Sequence, residues 1–140
     1  MKKLLLTVCL LVGVVTLKAQ GPGGPPPPPE ERAKMFFSNQ RYAAFAFTEE
    51  QKTKITPMLV KFYTSSDSLM ATVPRDGGME AFQAVAPKRA ALGEPTEKAI
   101  LAMLTPEQKK AYDAALAAAK ERNPNATAVF TGGFGGRPRN

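Results

Sequence analysis

Phe47-Thr48-Glu49-Glu50-Gln51-Lys52 and Leu104-Thr105-Pro106-Glu107-Gln108-Lys109 are two versions of one phrase, an apolar residue followed by Thr-x-Glu-Gln-Lys. In each, the Thr hydroxyl can accept a hydrogen bond from a free amide of a first helical turn. The Gln three residues on can reach back to the Thr amide, which completes the reciprocal arrangement of a capping box. The acidic residues behind each threonine meet the positive end of a helix dipole, and Pro106 brings a preset backbone angle to a first helical position. Each cap is worth ~1 kcal/mol. Both segments therefore read as helix starts. A capping box opens many helices, so a single copy says nothing about function.

Outward from these two starts, residues 30–122 are rich in Ala, Lys, Glu, Gln, Leu and Met and lack the alternation of a strand, so the pattern predicts an all-α domain broken at Pro and Gly. A first helix is expected over 30–44, opening with Glu30 and Glu31 behind Pro29 and turning Ala33, Phe36 and Phe37 to its apolar side. The second is expected over 48–69, with Ile55, Leu59, Phe62 and Leu69 on one stripe. Pro57 predicts a bend near Thr53 to Pro57, because its ring removes one backbone bond and crowds the carbonyl four residues back. Residues 72–78 form a break. Beyond it one kinked or broken element reaches Leu104, with Pro87 and Gly93-Glu94-Pro95 as its weak points. A last helix is expected from Pro106 to Arg122, with Tyr112, Ala115, Leu116 and Ala119 on one face and Asn123-Pro124 as its stop.

The two ends read differently. Residues 1–19 carry Lys2 and Lys3, the apolar run 4–17 and the small-residue site Leu17-Lys18-Ala19, the layout of a cleavable secretory signal peptide. The run is about fourteen residues, short of the ~20 of a spanning helix. Cys9, the only cysteine, lies inside that run, so the mature chain is expected to carry no thiol and no disulfide. Residues 20–29, Gln-Gly-Pro-Gly-Gly and five prolines, predict a stiff linker. Residues 123–140, ending Thr-Gly-Gly-Phe-Gly-Gly-Arg-Pro-Arg-Asn, predict a disordered tail.

Composition narrows the function. The formal charge of +7 drops by three when Lys2, Lys3 and Lys18 leave with the signal. The remaining basic residues are spread along the chain rather than gathered in a patch, which argues against nucleic acid. With no histidine and no mature cysteine, the usual nucleophile and base pairs are missing, and the carboxylates sit mainly in first turns where capping accounts for them. No catalytic residue, cofactor or metal site is expected. Met35, Met58, Met70, Met79 and Met103 are scattered and suit packing or a soft contact surface better than metal ligation.

The paired motifs, in a small chain with an export signal, resemble the LTxxQ motifs of the Spy/CpxP family of periplasmic stress proteins. Leu104, Thr105 and Gln108 match that pattern fully; Phe47, Thr48 and Gln51 depart from it by Phe in place of Leu. The resemblance covers residues 47–121. It implies long kinked helices in a thin helical-hairpin or cradle arrangement, a homodimer, and ATP-independent binding of unfolded or partly folded envelope proteins. In some relatives it implies a regulatory role at a membrane stress sensor instead, and a purely structural exported module is the remaining alternative. A periplasmic location follows from the same resemblance, with secretion the other outcome of the signal. For client binding the candidates are Met58, Phe62 and Phe82 as apolar contacts and Lys52, Lys54, Lys61, Lys88 and Arg89 as the charge beside them.

Overall fold

Pro29 supplies the first turn of α1 (Pro29–Ser38) with a fixed φ and no amide to leave unpaired, and Glu30 and Glu31 follow it. The chain, as a computed structural model, is described over residues 26–74 and 76–132. The signal segment 1–19, most of the linker 20–29 and residues 133–140 lie outside the described residues. After α1 come a 3-10 helix (Gln40–Phe45), α2 (Glu49–Ala71), α3 (Gly78–Leu101) and α4 (Pro106–Arg122), with no strand among the described residues. The all-α expectation holds.

The first helix is shorter than the 30–44 expected. Asn39 adopts extended backbone, and its side chain accepts a bond from the Arg41 amide at 2.9 Å, so the chain stops one helix and starts another. Asn competes in this way because its short amide mimics a backbone carbonyl. Ala46, left-handed at φ 43°, closes the 3-10 helix and turns the chain so that Phe47 enters the core just ahead of Thr48.

Of the kinked or broken element expected up to Leu104, the structure forms one continuous helix: α3 runs through Pro87 and Pro95 to Leu101, as α2 does through Pro57. All three prolines are exposed, so water can take up the carbonyl that each leaves without an amide. α2 and α3 form a hairpin through residues 72–77, α1 lies along α2, and the 3-10 helix meets both α1 and α4.

Packing concentrates where α2 begins and α3 ends. Phe36 stacks on Tyr42 with centroids 4.2 Å apart, Phe45 stacks on Phe47 at 5.5 Å, and Ile55, Leu59 and Ile100 are fully buried beneath them. The expected disordered tail does not hold for its described part. Beyond Asn123 the chain folds back as a strap in which Val129, Phe130 and Thr131 are buried. The Phe130 ring lies 4.9 Å from Phe45, 5.3 Å from Tyr112 and 5.8 Å from Phe36. A single buried Phe is worth roughly 1.5–3 kcal/mol of transfer free energy, and burial of Val129 and hydrogen bonds to the strap amides add to it against the ordering cost of about 1–2 kcal/mol per residue.

Candidate functional site

Both capping boxes form. The Thr48 amide donates to Gln51 Oε1 at 3.0 Å and the Gln51 amide to Thr48 Oγ1 at 3.2 Å; in the second copy the Thr105 amide reaches Gln108 Oε1 at 3.0 Å and the Gln108 amide reaches Thr105 Oγ1 at 3.3 Å. With each Oε1 held by its own cap, each Nε2 is left to donate outward. Gln51 Nε2 reaches Gln108 Oε1 and the Met103 carbonyl, both at 2.8 Å. Gln108 Nε2 answers to Gln51 Oε1 at 3.0 Å and to the Phe45 carbonyl at 2.8 Å. The two glutamines thus bolt the start of α2 to the start of α4 with near two-fold equivalence. Phe47 is buried and Leu104 half-buried beside them, so the repeated motif joins helices.

A second polar centre was not legible as one in the sequence. Glu97, on α3, is only 4% exposed. Its Oε1 accepts from the Tyr112 hydroxyl at 2.8 Å and from the Val129 amide at 2.7 Å, its Oε2 accepts from the Thr131 amide at 2.8 Å and the Thr131 hydroxyl at 2.9 Å, and the Phe130 amide is shared between the two at 3.1 Å. A buried carboxylate is tolerated only when donors surround it, and three successive backbone amides make such a nest. From the other side the Tyr42 hydroxyl donates to the Val129 carbonyl at 3.3 Å. Burial, and then the hydrogen bond to Glu97, push the Tyr112 hydroxyl well above the usual phenol range. Gly93, read from sequence as a weak point, lies where α3 packs close against the strap: a Cβ there would lie 2.5 Å from Thr131 Oγ1. An acidic residue one turn beyond a helical glycine was the only hint of this clasp.

The candidate client-binding residues separate into distinct places. Phe62 is 3% exposed and belongs to the core, which corrects its reading as a contact surface; it faces inward with Ile55 and Leu59 on the α2 stripe. Met58 is half-buried. Lys52 and Lys54 stand in the first turns of α2 and pair with Glu49 at 2.7 Å and Glu50 at 2.6 Å, so their charge is already matched; Lys54 holds the Glu50 carboxyl below the usual range. Lys61 and Lys88 are exposed and take part in no ion pair among the described residues. Arg89 is half-buried, donates from Nε to Ser66 Oγ at 2.9 Å, and lies over the Phe62 ring.

What does lie open, besides Met35 on α1, is apolar surface along α3. Met79 is 72% exposed, Phe82 49% and Leu92 39%, and between Glu80 and Glu94 the only charged residues are Lys88 and Arg89. That absence of acid over more than three turns was visible in the sequence. Comparison of the chain with family models, with curated proteins and with solved structures finds no match. Among the described residues no helix is long and apolar enough to cross a membrane, and no three His, Cys, Asp or Glu side chains gather as a metal set.

Proposed function

We propose that this protein is an exported, ATP-independent chaperone-like binder of unfolded or partly folded envelope proteins, a homodimer of the Spy/CpxP type working in the periplasm. The observation that carries the reading is the exposed apolar surface of α3, with Met79 and Phe82 open to water in its first turns and Leu92 open one turn beyond the exposed Lys88. An unfolded client offers apolar segments and acidic ones together, and a helix that leaves large apolar groups exposed next to unmatched positive charge suits both. The thioethers of Met add a contact that adapts to many partners. The surface charge assigned to clients shifts accordingly from Lys52 and Lys54, which are ion-paired, to Lys61 and Lys88. No catalytic step is part of this reading.

Light scattering of a chemically unfolded, aggregating client tests it. The purified protein without ATP is expected to suppress scattering at near-stoichiometric ratio, and the double variant Met79→Ser, Phe82→Ser to lose that effect while keeping its helical circular dichroism. No suppression for several unrelated clients would sink the reading and leave a dedicated binder of one partner in its place.

A further inference from the structure

Between α1, α2, α3 and the strap lies a groove of about 550 Å³, a size typical of small-ligand sites. Its walls are aromatic and its charge is of one sign. Three arginines line it, each over an aromatic ring of the same groove: Arg32 is 4.6 Å from the Tyr63 centroid, Arg41 is 5.7 Å from Tyr42, and Arg89 is 5.7 Å from Phe62. Among the described residues no carboxylate lines it. Arg32 is matched by Asp67, yet its Nε is buried without a partner. Arg41 and Arg89 form no ion pair among the described residues. Burial raises the Tyr63 hydroxyl above its ordinary value while Arg32 and Arg89 pull against it, as expected if both guanidiniums bear on one space.

Stacking of a guanidinium on a ring fixes its plane and leaves the edge of the fork free, the geometry that suits two parallel bonds to a carboxylate. Without competing acid in the wall, and with water partly displaced by rings, such a pair is stronger than one on open surface. We infer that this groove binds an organic carboxylate with an apolar body, the carboxylate meeting the unpaired guanidiniums of Arg41 and Arg89 and the body lying on the aromatic wall. Two sources share this chemistry, a small aromatic acid and the free C-terminus of a peptide ending in an aromatic residue. The site is separate from the exposed face of α3 and stands or falls independently of it.

Calorimetric titration of the purified protein decides the matter with four probes: 3-phenylpropionate, its amide, and acetyl-Gly-Phe as free acid and as amide. At least one acid is expected to bind, at least tenfold more tightly than its amide, and whichever acid is tighter names the source. Arg41→Gln is expected to weaken that acid at least tenfold with an unchanged thermal melt, because Arg41 is exposed and its side chain makes no hydrogen bond among the described residues. Arg89→Gln is expected to weaken it likewise, with some loss of thermal stability because Arg89 also bonds Ser66. Acids and amides binding alike, neither acid binding, or full affinity in Arg41→Gln would each overturn the proposal, whatever the outcome of the client-aggregation assay.

Discussion

Where α2 begins, Phe45 and Phe47 lie buried over Ile55, Leu59 and Ile100, whereas at the start of α3 Met79 and Phe82 stand largely in water. Both regions are helical and carry residues of the same apolar class. They differ in how many elements converge. At the closed end the 3-10 helix, α2, α3, α4 and the strap supply surfaces on every side, and the glutamine pair and the Glu97 clasp consume the polar groups that this convergence buries. Past the Arg32–Asp67 pair that ends the cover of α1, only α2 and α3 run side by side, and two helices can bury no more than the stripe that faces the other. Apolarity is thus a source of stability at one end and is left open to solvent at the other.

The sharpest way to break this contrast is at Phe130. Phe130→Ala should cost about 3–5 kcal/mol in chemical denaturation, as for core aromatics generally; a cost under 1 kcal/mol would mean that the strap is not part of the closed end. Glu97→Ala should cost about 3 kcal/mol, since it strands the amides of Val129, Phe130 and Thr131, and hydrogen exchange at those amides should accelerate ahead of the rest of the core. Gln51→Ala and Gln108→Ala should each cost about 1–2 kcal/mol, and the double variant should fall short of their sum by about 1 kcal/mol, because either change alone already breaks the shared pair.

Alkaline titration reads the same region more gently. The folded state raises the Tyr112 hydroxyl above its value of 10.0 in the unfolded chain, so the protonated form is favoured on folding. That stabilisation is complete below pH 10 and is lost as the pH climbs toward the folded value, by up to about 1.4 kcal/mol per unit. Tyr112→Phe should flatten that slope, and an unaltered slope would assign it to Tyr42 and Tyr63, which burial also raises. At the open end the smallest effect is expected: Met79→Ser with Phe82→Ser should move stability by less than about 0.5 kcal/mol while abolishing suppression of aggregation.

Much of the closed end was legible because its signals are local. Thr48, Gln51, Thr105 and Gln108 announce two helix starts through bonds made within four residues, and α4 runs from Pro106 to Arg122 as its start and stop residues dictate. The prolines left a choice between a kinked and a broken helix, and the continuous α3 rules out the break, their exposure letting water replace the lost bond. The last segment misled, because Val129 and Phe130 sit among Thr, Gly and Asn and no periodic pattern surrounds them.

The amino-acid sequence by itself determined that the chain is helical and where α2 and α4 begin, because capping and periodicity act between neighbours. Only the tertiary structure decided that the two cap glutamines bond to each other, that a buried Glu97 holds the strap, that Phe62 is core while Phe82 is not, and that three arginines share one aromatic groove. Each of those depends on which surfaces meet across long stretches of chain, and burial is a property of the meeting and not of the residue.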